Sequence, residues 1–158
     1  SIALDFVIKS INRQNLLHDL AVNDVRLSVE HLGLGMSWKS SHYFRFIASL
    51  DKKNSDRLPD TIPDWLVSNN GVNCALEVEL NYKGKYKMER ILGLYAQKKS
   101  ISILWYLVPN QLMKNKLMEL GVAYQKMRGR GSFRVSLIDE FPLELSAHSS
   151  AHPVSREA

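Results

Sequence analysis

Three carboxylates and a run of lysines crowd into residues 63–87 of the chain: Asp64, Glu77 and Glu79, then Lys83, Lys85 and Lys87. Carboxylate oxygens are hard ligands. A few of them held together suit a small divalent cation such as Mg2+, which keeps several of its waters and commonly serves phosphate substrates. Lysines placed just beyond can meet the phosphate's own negative charge. That chemistry requires the acids to converge, so the elements that carry them decide whether it is available.

Residues 64–68 read as a strand, Asn69-Asn70-Gly71 as a turn of the Asn-Gly kind, and residues 74–80 as the returning strand of a β-hairpin. With the turn centred on Asn70 and Gly71, Asp64 falls opposite Glu77. Side chains alternate along a strand, so Glu77, Glu79 and Asn81 share one face while Val78 and Leu80 take the other. Like charges directly opposed in a sheet are destabilising, and a bound cation is one reason for a fold to keep them. The plainer reading places Glu77 and Glu79 on the solvated face of an amphipathic strand. Spacing alone leaves both readings open.

The flanking elements follow from hydrophobic periodicity. In residues 13–32, Leu16, Leu17, Leu20, Val25, Val29 and Leu32 recur at helical spacing until Gly33 and Gly35 end the pattern. Asn23 as an N-cap would divide this segment into two helices meeting near residues 21–23. Residues 36–50 are aromatic-rich and read as one or two strands, with Tyr43, Phe44, Phe46 and Ile47 supplying core. Trp38, Lys39, His42 and Arg45 equally suit a surface that stacks bases and holds phosphates. Residues 51–57 form a polar loop. After the hairpin, Met88, Ile91, Leu92 and Tyr95 mark a helix over residues 84–98, with Lys85, Lys87 and Arg90 near its start. Basic residues there oppose the helix dipole yet suit a bound phosphate. Tyr82, Tyr86 and Tyr95 are candidate nucleophiles for a transesterase, and Tyr95 also fits the core.

The apolar run of residues 101–108, stopped by Pro109, reads as a central strand buried on both faces. Strand, helix, strand in that order implies a right-handed parallel crossover. Asn110 caps the next helix, whose Leu112, Met113, Leu117 and Leu120 face inward until Gly121 stops it. Arg128-Gly129-Arg130-Gly131 is a basic turn, and without a following Gly-Lys-Ser/Thr it is no nucleotide-binding loop. Residues 133–138 make a last strand, and residues 146–158 have the composition of a tail. Leu4, Phe6, Val7 and Ile8 fit either a strand or a helical turn.

With 158 residues and 45% hydrophobic content, the chain suits one α/β domain. A net charge of +5 and a pI near 9.4 favour an acidic partner such as nucleic acid. The single cysteine, Cys74, rules out an internal disulfide and fits a small core residue in a reducing cytoplasm. No apolar run approaches the ~20 residues of a membrane span, and no signal peptide is visible. There is no Cys-x-x-Cys zinc motif and no Gly-x-Ser-x-Gly elbow. His148 and His152 lie in the expected tail, which argues against a relaxase of the paired-histidine kind.

Pro63-Asp64, followed across the hairpin by Glu77-Val78-Glu79 and then by a helix, resembles the active-site core of the PD-(D/E)XK nuclease superfamily. That pattern is Pro-Asp on one strand and (Asp/Glu)-x-Lys on the next. Asp64 matches its aspartate and Glu77 its second acid, while Glu79 stands at the lysine position; Pro59-Asp60 is a rival for the first motif. The resemblance implies a restriction-endonuclease-like core, a mixed central β-sheet flanked by helices, over residues 1–145. It implies Mg2+ or Mn2+ held by Asp64, Glu77 and Glu79. A helix before the sheet is expected to add an acid, Glu30 first and Asp24 next. Lys83 or Lys85, with Lys87 as a further candidate, would supply the missing lysine's role.

A narrower likeness spans residues 16–108. LLHDLAVNDVRLSVE, which contains His18, then PD, ALEVEL, a lysine-containing turn and a tyrosine-bearing helix resemble the replication-relaxation family and the MobC-type plasmid relaxases. It implies a metal-dependent endonuclease or nickase that cuts DNA at a plasmid transfer origin, with coupling or relaxosome proteins as further partners. A winged-helix DNA-binding part often precedes such domains, and the few residues before His18 lead us to expect a fragment without it. The alternative is a non-catalytic DNA-binding accessory protein that keeps the nuclease fold. Glu79 in place of lysine favours that alternative.

Overall fold

Asn69 pairs with Val72 across an antiparallel hairpin, so the chain reverses within two residues. Gly71 takes φ 78° there, a region glycine enters without steric cost. The computed structural model of the chain describes residues 13–32, 36–50, 61–69, 71–129 and 132–150. Its elements are α1 (Arg13–Glu30), β1 (Ser37–Ser40), α2 (Ser41–Leu50), β2 (Trp65–Asn69), β3 (Val72–Val78), α3 (Lys85–Gln97), β4 (Ile103–Val108), α4 (Gln111–Arg128), β5 (Ser132–Leu137) and α5 (Phe141–Ser150). The strands form one mixed sheet in the order β1-β2-β3-β4-β5. β1, β2 and β3 pair antiparallel, whereas β3-β4 and β4-β5 pair parallel across the helical connections α3 and α4.

Each face of the sheet is covered by helices. On one face Leu66, Ala75, Leu104, Tyr106 and Val135 pack against Met88, Leu92 and Tyr95 of α3 and Met113, Leu117 and Tyr124 of α4. On the other, Trp65, Val67, Leu76, Val78, Trp105 and Leu107 pack against Val25 and Val29 of α1 and Phe141 of α5. This accounts for the unbroken apolar run of β4, whose neighbours on both faces are helices and on both edges are strands. Cys74 packs at the edge of the α1 side, where burial pushes its thiol up to about 12.

Several local expectations are corrected. Residues 36–50 form the short edge strand β1 and then the helix α2, and Tyr43, Phe46 and Ile47 are exposed rather than core. The Ser40 hydroxyl accepts from the Tyr43 N–H at 3.2 Å, an N-cap that outweighs the β-propensity of the aromatics. The apolar spacing at 43, 44, 46 and 47 serves a helix as well as a strand. α1 is continuous through residues 21–23, and Asn23 donates its side-chain amide one turn back to the Asp19 carbonyl instead of capping. Of its apolar residues Val25 and Val29 are buried, while Leu16, Leu17, Leu20 and Leu32 are exposed.

Asn110 does cap α4, its Oδ1 accepting from the Met113 N–H at 3.0 Å, but Leu112 faces solvent. Gly121 does not stop that helix. α4 ends at Gly129, φ 67°, whose N–H donates to the Gln125 carbonyl. Gly121 is instead where α4 presses on β5, since a Cβ there would lie 2.2 Å from the Phe133 ring. The expected tail begins inside α5, which runs on to Ser150. Residues 1–12 and 51–57, the rival Asp60, and Arg130 and Gly131 lie outside the described residues. No helix among the described residues is long and apolar enough to cross a membrane.

Gly121→Ala forces the Phe133 ring out of its present place beside Tyr106 and Tyr124. It is expected to destabilise the chain by about 1–3 kcal/mol, lowering Tm by roughly 2–10 °C in a thermal melt. Gly93→Ala, with open space at its Cβ in the interior of α3, is expected to stabilise by up to ~1 kcal/mol in the same melt.

Candidate functional site

β3, β4 and β5 are parallel, so their carboxyl ends lie along one edge of the sheet, and β2, running the other way, begins at that edge. Ligands of open α/β sheets gather outside such carboxyl ends. The pairs Trp65↔Leu76 and Leu66↔Ala75 continue to Asp64 opposite Glu77. Asp64 is fixed from both sides. Its Oδ2 accepts from the Val78 N–H at 2.8 Å and its carbonyl accepts from the Ser41 N–H at 3.1 Å. Glu79 lies one residue past β3, and its N–H donates to the Leu107 carbonyl at 2.9 Å, which carries it into the sheet edge. It is 5% exposed, and Glu77 is partly buried on the side covered by α3, so neither sits on a solvated strand face.

Glu77 and Glu79 both feel the charge of Asp64. Burial, then the charges of Asp64 and Glu79, push Glu77 up to about 8, against the opposing pull of Tyr95 and Lys83. Burial also raises Glu79, with Asp64 adding and the Lys83 ammonium, 2.7 Å from its Oε2, opposing. The Tyr95 hydroxyl donates to Glu77 Oε1. Tyr106 stands beside Glu77 in the parallel register, and both phenols are held well above their ordinary range by burial and by the Glu77 charge. Tyr95 is fully buried, in line with its reading as a core residue, and its hydroxyl is engaged by Glu77. Lys98 braces it from behind, donating to the Thr61 carbonyl and lying 5.3 Å over the Tyr95 ring.

α1 contributes a histidine. The Trp65 indole donates to the Val22 carbonyl at 3.2 Å, tying α1 to the start of β2. His18 precedes Val22 by one turn on the same helix face, and its Nε2 lies 3.3 Å from Asp64 Oδ2. The hydrogen bond to Asp64 raises its pKa to about 9 in spite of burial, so it is a cation at neutral pH. Glu30, the expected acid from this helix, pairs with Arg26 at 2.6 Å in solvent. It lies twelve residues beyond His18, about 18 Å along the axis, and Asp24 is likewise exposed. α1 thus brings His18 to Asp64 rather than either acid. Sequence pattern had no means of pairing His18 with Asp64, because the pairing depends on where Trp65 anchors the helix.

Of the candidate lysines, Lys83 joins the cluster. Lys85 lies loosely by Glu89 at 3.9 Å, and Lys87 is exposed. Among the described residues, no three His, Cys, Asp or Glu side chains stand in an arrangement that holds a metal ion; Asp64, Glu77 and Glu79 pair with His18, Tyr95 and Lys83 respectively. The donor chemistry nevertheless suits a hard cation: carboxylate oxygens, withdrawn from solvent and mutually repelling. In comparisons with known proteins, no family model matches the chain and no curated protein matches it significantly.

An acid whose pKa rises on folding holds its proton more tightly in the native chain than in the unfolded one. The stability contributed by Glu77 is therefore full below about 4.5 and is lost as pH climbs toward about 8. For His18 the raised pKa gives stability that is full below 6.5 and is lost through about 9. Urea unfolding in chelator is expected to show stability falling from pH 4.5 to 9. Glu77→Gln should flatten the part between 4.5 and 8 and make the chain more stable than wild type at pH 7.5.

Proposed function

We propose that this chain is a metal-dependent DNA endonuclease of the restriction-endonuclease-like type, acting as a nickase at a plasmid transfer origin. The observation that carries the reading is the meeting of Asp64, Glu77 and Glu79 at the carboxyl edge of the sheet, with the Lys83 ammonium 2.7 Å from Glu79. Asp64, Glu77 and Glu79 would hold Mg2+ or Mn2+, which when bound polarises a phosphate and lowers the pKa of a coordinated water. Tyr95 sets the orientation of Glu77, and His18 sets that of Asp64. Lys83 reaches from the loop after β3 to the place where the motif lysine is missing. There it supplies the positive charge that meets charge developing on a phosphoryl group. Plasmid mobilisation as the setting, with coupling or relaxosome proteins as partners, rests on the likeness over residues 16–108.

The competing reading is a DNA-binding accessory protein without catalysis. Glu79 at the lysine position favours it, and so does the pairing of His18 and Lys83 with the acids a metal would need.

Incubation of a supercoiled plasmid bearing a transfer origin with the protein and Mg2+ or Mn2+ is expected to yield open circles. Asp64→Ala and Glu77→Ala should abolish the conversion, and Lys83→Ala should slow it by about 100-fold. Undiminished nicking by Glu77→Ala would remove the proposal. DNA binding that is indifferent to chelator, with no nicking by wild type, would establish the accessory protein instead.

A further inference from the structure

Tyr86 is 88% exposed, more than any other large hydrophobic side chain among the described residues. It belongs to the first turn of α3, a helix seated on the sheet by Met88, Leu92 and Tyr95, each at most 1% exposed. The ring is thus presented on a fixed support. Lys85 and Lys87 flank it in the chain, Arg90 follows one turn later on the same face, and the first turn holds no acidic residue. Glu89 is the nearby acid, and its contact with Lys85 is loose at 3.9 Å. Three residues before Tyr86, Lys83 is locked to Glu79. The backbone of Tyr86 therefore lies within about 11 Å of the residue that closes the carboxylate cluster.

We propose that Tyr86, with Lys85 and Lys87, forms a stacking platform for an unpaired DNA base beside the carboxylate cluster, so that the strand the site handles is single-stranded or locally melted. The inference rests on the reading of that cluster as one that acts on DNA. A partner for this surface must offer a flat π-face to the ring and negative charge to the cations around it, and a DNA strand offers both in each nucleotide. In a duplex the phosphates remain available, but the base faces are taken up by their neighbours in the stack. Only an unpaired base uses the ring.

The test is binding of the whole chain, in chelator and at low salt, to a labelled oligothymidylate and to a blunt duplex of equal length, followed by fluorescence anisotropy. Tyr86→Ala should weaken single-strand binding roughly 5- to 150-fold, the range of one lost base-aromatic stack, and leave duplex affinity close to wild type. Tyr86→Phe should bind as wild type does, because the ring face rather than the hydroxyl makes the contact. Lys87→Ala should weaken both ligands, as lost phosphate contacts do. Unchanged single-strand affinity in Tyr86→Ala, equal losses on both ligands, or no single-strand binding by wild type would each overturn the proposal. The measurement contains no metal and reads no cleavage. A chain that binds in this way but never nicks plasmid would refute the nuclease reading alone, and a chain that nicks while Tyr86→Ala binds normally would refute the stacking platform alone.

Discussion

The rest of the structure answers to one electrostatic constraint, the gathering of Asp64, Glu77 and Glu79 at an edge of the sheet that water reaches only in part. Withdrawal from solvent raises the pKa of Glu77 and of Glu79, and the neighbouring Asp64 charge raises both further. Three elements relieve the strain, each from a different part of the chain. α1 brings the His18 cation to Asp64, the loop after β3 returns Lys83 to Glu79, and α3 donates the Tyr95 hydroxyl to Glu77. No short segment could do this by itself. A cation from α1, a cation from the loop after β3 and a neutral hydroxyl from α3 together partner the three acids.

Backbone and aromatic contacts frame the cluster. β4 is buried on both faces and sets Tyr106 beside Glu77, while Leu107 extends the ladder to Glu79. Lys98 ties the end of α3 to Thr61, just ahead of Asp64, and Trp65 ties α1 to the same lead-in. Backbone hydrogen bonds hold Asp64 and Glu79 in place, and the packed Tyr95 holds Glu77. Such a frame keeps a repulsive group in place, and it is the kind of support that a site for hard cations or phosphates needs.

The proposed nuclease reading and its one departure from that motif meet at Glu79. The motif that the chain resembles has a lysine where this chain has Glu79, and Lys83, four residues on, places its ammonium 2.7 Å from that carboxylate. A cation from the following loop thus answers the Glu79 carboxylate.

Much of the fold was legible in local pattern. The Asn-Gly turn set the hairpin register and with it Asp64 opposite Glu77, because a two-residue reversal leaves a single pairing. The apolar run of β4, the stripe of α3 and the cap at Asn110 were equally readable, since each depends on neighbours in sequence. Residues 36–50 misled because their aromatics suit a strand by propensity and a helix by spacing, and a serine cap decided for the helix. Gly121 looked like a stop but marks a close approach to Phe133, a contact between elements that local pattern does not contain. The choice of His18 over Glu30 was likewise made by tertiary structure, through the anchoring of α1 by Trp65. Residue types and a turn determined which acids meet. Only the packing of distant helices on the sheet decided which charges answer them, because those contacts join parts of the chain that no local period relates.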